Sequence, residues 1–309
     1  VSIAIGLVIY AAALSWLGPG LLSRLTRGGI NPQLGVAAWL TAIGGVILAW
    51  LAAVVVLVLD ALDAIPSGPI WAFCVETLGY SGHITMARPV APATAAALIV
   101  AAVLLPAVVA RRIIATLSTL RCASQRHAAA ARVVGTPGPW RDVVVLQAER
   151  PAAYCIAGRP RAIVVTSAAL ASLHDDQLAA VIAHEHAHLT GRHHHILMLL
   201  RAIAAGLPRL PLAAAGPEAV GRLLEMCADD TAARQHGPHS LLCGLATLVA
   251  RPTAPATALG ATGTAVLDRA YRLASPSPRA ARWRDQLRLC TTIAVTLTVP
   301  LFAGIFCHH

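Results

Sequence analysis

The chain has 309 residues, 57% of them hydrophobic and only 12% charged, with a formal net charge of +10 and a mean hydropathy of +0.68. That is too apolar for an ordinary soluble domain, and it reads as a membrane protein. All 24 basic residues are Arg, and 21 of them lie between Arg111 and Arg288, so one basic domain sits among nearly uncharged flanks. No zinc-finger, homeodomain or RNP-type motif accompanies these arginines, so the membrane's positive-inside bias accounts for them and no direct nucleic-acid binding is expected. The seven cysteines contain no CxxC and no regular framework, which argues against a disulfide scaffold.

Four apolar segments have about the length a membrane-crossing helix needs. The first, "VSIAIGLVIYAAALSWLGPGLL", carries no charge before Arg24, and it lacks the basic n-region and small-x-small cleavage site of a signal peptide, so it is read as an anchor. The second runs uncharged from Leu34 to Leu59, and the third from Val90 to Ala110, ending at Arg111-Arg112 as a membrane-boundary anchor. The fourth, "CTTIAVTLTVPLFAGIFC", runs from Cys290 to Cys307. The expected domains are therefore 1-110, three transmembrane helices with an extracellular loop at about 60-89; 111-289, a cytoplasmic domain; and 290-307, a fourth transmembrane helix. Arg24 and Arg27 in the first loop, the acids Asp60, Asp63 and Glu76 in the second, and the arginines after the third span put both termini outside a bacterial cell membrane.

Inside the basic domain, "DVVVLQ" (142-147), "AAYCIAG" (152-158) and "RAIVVTS" (161-167) are short β-branched runs separated by turn residues. They predict a small antiparallel sheet, in which the last strand could offer an edge to a substrate chain. The periodicity then becomes helical. Asp175 to about Gly191 places Leu178, Val181, Ile182 and Leu189 on one side, with Asp175 and Asp176 in the first turn where carboxylates suit the helix dipole. A second helix is expected from Pro217 to Gly237-Pro238, and the Ala/Thr/Pro/Gly-rich stretch at about 252-264 as a loop. Between the two helices, 196-216 is broken by prolines and arginines, and it is expected to lie against the bilayer rather than to span it.

The first of these helices contains "AVIAHEHAHLTGRHHH". His184 and His188 are four apart and so share a face, where two imidazoles can bind one metal, while Glu185 is displaced by one position, as suits a base acting on the attacking water. In "EAVGRLLEMCADDTAARQHG", Glu225 and Asp229 are again four apart on a helix. Two His and a Glu with an open fourth position form the ligand set of catalytic zinc, and Asp229, one turn on, is suited to hold the second nitrogen of a ligating His. His186 points away from the ligand face and is expected in solvent; His193, His194 and His195 are read as a polar helix end. His236 and His239, just past the second helix, are candidates for stabilising an oxyanion. The apolar run before His184 is too short for the motif to sit in mid-bilayer, which argues against a site-2-type intramembrane protease.

"LAAVIAHEHAHLTGRH" with "EMCADDTAARQHG" resembles the HExxH and ExxAD pair of gluzincin membrane peptidases, and "AAYCIAGRPRAIVVTSAAL" is similar to the strands that precede it in that group. The resemblance implies an α-helical membrane protein with a cytoplasmic α+β zincin-like catalytic domain. It implies one Zn2+ per chain held by His184, His188 and Glu225, Glu185 as the base, and Asp229 behind a ligand. Three spans before the core and one after it resemble the BlaR/MecR-type (M56-like) antirepressor peptidases more than the HtpX-type proteases of the related M48 group. In BlaR/MecR proteins a penicillin-binding sensor domain follows the last span, whereas this sequence ends at His309, so β-lactam sensing through such a domain is not expected. The expected partners are the lipid bilayer and a protein substrate, by resemblance a cytoplasmic transcriptional repressor cleaved in response to a signal received by the 60-89 loop. The competing expectations are an HtpX-like quality-control protease and a non-catalytic zinc-binding membrane receptor.

Overall fold

The computed structural model describes residues 2–64, 90–249 and 259–306, except 141, 157, 159, 160 and 276. It is mainly helical with a small sheet downstream of the first long helices. The expected 60-89 loop lies almost wholly outside the described residues, as do Cys74 and Cys307.

Helices α1 (Ser2–Thr26) and α2 (Pro32–Ala64) form a hairpin, and α3 (Val90–Val134) is a single helix of 45 residues. Among the described residues, three segments are long and apolar enough to cross a membrane: Ile3–Thr26, Pro32–Leu59 and Ile99–Val134. The third does not end at Arg111-Arg112. It continues as helix through the arginines, because nothing there breaks backbone hydrogen bonding, and at 1.5 Å per residue α3 reaches about 67 Å, well beyond a hydrocarbon core.

The sheet follows, with β1 (Thr136–Pro137), β2 (Val143–Leu146), β3 (Ala153–Ile156) and β4 (Ala162–Thr166) in the order β1-β2-β4-β3. It is mixed rather than antiparallel: β3 pairs antiparallel with β4, but β2 runs parallel to β4. All five residues of β4 are buried, so this strand takes a central place, and β2, separated from it by the excursion through β3, pairs on its other side. The "RAIVVTS" strand is therefore not an edge; among the described residues the edges of the sheet are β1 and β3.

The remaining elements are α4 (Ser167–Ser172), α5 (Asp175–Thr190), α6 (His193–Gly206), α7 (Pro211–His236), α8 (Pro238–Val249), α9 (Leu259–Ala274) and α10 (Arg279–Phe306). Helix α5 starts where expected, and the backbone N–H of His174 donates to Oε1 of Gln177 at 3.3 Å. Helix α7 starts six residues earlier than expected: Pro211 takes its first turn, and Pro217 lies inside the helix, where burial of Leu212, Ala213 and Gly216 outweighs the missing N–H. Helix α9 starts at Leu259, inside the stretch expected as a loop to 264.

Two cores meet at the site. One joins the sheet to α5 through Val143, Ile163, Val165, Leu178 and Val181. The other joins α1, α2, α6 and α7 around Leu22, Trp39, Leu200, Leu212 and Leu223. The 196-216 stretch thus packs into the helical core through Leu200, Ile203 and Leu212 instead of only resting on a bilayer. Gly29, at φ +56° in the α1–α2 turn, lies so close to Met226 that a Cβ would run into its sulfur, so the turn presses on α7 one residue after Glu225. The tip is also tied by Arg222, whose Nη1 donates to the Arg27 carbonyl at 3.1 Å, and by Arg272, whose Nη1 donates to the Gly29 carbonyl at 3.4 Å while its Nη2 donates to the Met226 carbonyl at 3.0 Å. The expected fourth span falls on α10, which packs on α1, where Tyr10 donates to the Thr296 carbonyl at 2.7 Å.

Candidate metal centre

Helix α5 is anchored on the sheet by Leu178 and Val181, and this turns the face bearing His184 and His188 toward α7. Helix α7 buries Leu223 and Leu224 in the helical core, leaving Glu225 half-exposed on the side that faces α5. The three side chains converge. Nε2 of His184 lies 3.2 Å from Nε2 of His188, and the two lie 3.5 and 3.4 Å from the two oxygens of Glu225. For Zn–N and Zn–O distances of 2.0–2.1 Å, the edge of a tetrahedron is about 3.3–3.4 Å. The donor triangle therefore has the size that zinc needs, and the donor types are those of an open catalytic site. Among the described residues, these three form the group suited to a metal.

The electrostatics suit a cation. Burial drives His188 down to about 4 against the pull of Glu225, whereas for His184 burial is outweighed by Asp229 and Glu225, and its pKa rises to about 9. Two rings facing each other at this distance cannot both be charged, so without a metal the proton sits on His184. Nδ1 of His184 is 3.1 Å from Oδ1 of Asp229, close enough for charge pairing though not aligned as a good hydrogen bond.

Glu185 lies on the other side of the triangle, against strand β3. Burial raises its carboxyl to about 7, opposed by the charge of His184. The backbone N–H and the thiol of Cys155 also act on it, favouring its charged form, and the thiol in turn is pushed up to about 12, first by burial and then by the charge of Glu185.

Three residues here were not foreseen. Cys155 is one. Arg269 on α9 is another: its Nε and Nη2 donate to the two oxygens of Asp229, each at 2.7 Å, and its Nη1 lies 3.2 Å from Glu225. Burial by itself would raise Asp229, which is fully buried, but Arg269 and then His184 outweigh it and hold it at about 2. Nothing in the local sequence marks Arg269, which is 40 residues from its partner. The third is His193. Instead of a solvated helix end, it is 8% exposed, with its Nδ1 3.0 Å from Nδ1 of His188. His186 is exposed, as expected. His236 and His239 are exposed at the α7–α8 junction, where His239 contacts the Cys243 sulfur at 3.7 Å; no contact joins either to the triangle.

An open cavity of about 490 Å³ adjoins Glu225, lined also by Ser23 of α1, Glu218 and Arg222 of α7, and Arg269. No curated protein and no solved structure matches the chain. Its match to a family model covers residues 116–242, from within α3 to the start of α8, which includes the sheet, the triangle and Glu185 but neither Arg269 nor the α1–α2 hairpin. That model is peptidase family M48, a family of zinc metallopeptidases, so the matched region supports an M48-type metallopeptidase next to membrane-like helices; it does not extend to the BlaR/MecR-type assignment.

Proposed function

We propose that the protein is a membrane-bound zinc metalloendopeptidase that cleaves a protein substrate on the cytoplasmic face. The observation that carries this reading is the tetrahedron-sized triangle of His184, His188 and Glu225, with Glu185 beside it and outside it. A bound zinc would supply Lewis acidity, polarising the scissile carbonyl and easing deprotonation of water. His184, His188 and Glu225 would hold that ion. Glu185, with a carboxyl raised to about 7, is matched to taking a proton from the attacking water and passing it to the leaving amine. Asp229 fixes the back of His184, and Arg269 keeps Asp229 ionised. Strand β3 presents a free edge next to Glu185, on which a substrate chain can add as an antiparallel strand.

The test is a purified full-length chain in detergent. Wild type should carry about one zinc, lost in His188→Ala, and Glu185→Gln should keep the zinc while losing at least about 10²-fold in peptide hydrolysis. Hydrolysis by Glu185→Gln at the wild-type rate would overturn the mechanism. Zinc held with no hydrolysis by any form would favour a zinc-binding receptor.

The M48 match fits an HtpX-like quality-control protease as well as it fits a dedicated BlaR/MecR-like antirepressor. The two differ in breadth of substrate. A quality-control enzyme degrades many misfolded membrane proteins, whereas an antirepressor cleaves one regulator and responds to exchange of the 60-89 loop, so degradation of both substrate sets by the same cells separates them.

A further inference from the structure

The two histidines of the triangle are backed differently. Nδ1 of His184 meets the Asp229 carboxylate, whereas Nδ1 of His188 meets another imidazole, His193, at 3.0 Å with the rings nearly perpendicular. With Nε2 of His188 turned to the triangle as a donor, its proton sits on Nδ1, so His188 donates and Nδ1 of His193 accepts.

The backbone is bent to make this contact. In an unbroken helix, a residue five positions on lies roughly 140° around the axis and would face away from His188. Here α5 stops at Thr190, Gly191 caps it, and Arg192 takes the left-handed conformation at φ 53°, ψ 30°, so that α6 restarts at His193 with its ring folded back. For a non-glycine residue this conformation is strained, and the exposed Arg192 has no side-chain capping bond to offset it. Gly191 has an ordinary φ of −73°, yet a Cβ there would collide with Nε2 of His193. Both residues of the turn are thus fitted to where His193 sits.

We propose that His193 is a positioning residue of the metal centre, a neutral acceptor that holds the His188 ring with Nε2 in the triangle, where His184 instead has the Asp229 carboxylate behind it. The inference rests on the zinc reading above. One ligand is then backed by a charge and the other by an uncharged ring.

The experiment measures zinc affinity by chelator competition, together with the visible spectrum of the Co2+-loaded full-length chain. His193→Phe keeps a ring of similar shape without the acceptor, and it should loosen zinc roughly 10–100-fold and change the Co2+ spectrum. His193→Gln, which retains an acceptor oxygen, should recover most of the affinity. Wild-type affinity and spectrum in His193→Phe would overturn the proposal. So would an equal loss in His193→Gln, since the contribution would then be packing alone. If His193→Phe does not fold, Gly191→Ala, which keeps the imidazole but displaces it, should show the loosening, and wild-type affinity there would overturn the proposal too. A folded wild type that takes no zinc overturns the metal reading itself, visible before any His193 variant is compared.

Discussion

Arg269 holds a carboxylate with no access to water: Asp229 is fully buried, and both of its oxygens accept from the one guanidinium. Removing one partner of such a pair leaves a buried charge uncompensated, at a cost of about 3 kcal/mol or more. Arg269→Met should lower the unfolding free energy of the metal-free protein by about that amount, measured by denaturant titration in detergent; a loss under about 1 kcal/mol would mean that Asp229 is reached by solvent. Asp229→Asn, which keeps the volume and removes the charge behind His184, should loosen zinc roughly 10–100-fold. The pairs His184/His188 and Glu225/Asp229 could be read from the sequence because a four-residue spacing has one meaning on a helix. Arg269 and His193 could not. One reaches the site from a distant helix, and the other depends on a left-handed Arg192, whose conformation the preceding Gly191 does not specify.

The edge strand makes a prediction about recognition. In an antiparallel pair the backbone groups alternate between facing the partner and facing out, and Thr166 donating to the Ala152 carbonyl fixes that phase, so Ala153 and Cys155 face away from β4. Ala153→Pro removes one outward N–H, at an edge where proline is tolerated. If substrate adds to β3, kcat/KM should fall roughly three- to tenfold, the value of one hydrogen bond, with zinc content unchanged. An unchanged kcat/KM would move the substrate off this edge. The three strand segments were visible as β-branched runs, but their order was not. Burial of every residue in β4 decides which strand is central, and that is a property of α5 and α3 closing over the sheet. The boundary of α7 escaped for a related reason: Pro217 carries a loop signal that tertiary packing overrides, and the Gly/Ala-rich 259–264 carries one too, yet lies within α9.

For the whole molecule, the distribution of arginine predicts a sidedness that labelling can read. In intact cells a membrane-impermeant thiol reagent should modify Cys74, in the 60-89 loop, and should reach the exposed Cys122 on α3 only after permeabilisation. The reverse pattern would invert the orientation. The helical core also bears on how this protein can be used. His184 and His188 ride on a helix seated on the sheet, but Glu225 rides on one seated against α1 and α2, with Gly29 and Arg27 of the hairpin touching its neighbours Met226 and Arg222. The bilayer anchor is therefore a wall of the reaction chamber and not a tether to it. A fragment beginning at residue 111 would bare Leu212 and Leu223 and lose the surface that keeps the third ligand facing the other two. On the peptidase reading proposed above, a form cut free of the hairpin should be inactive, because the three ligands are brought together against it.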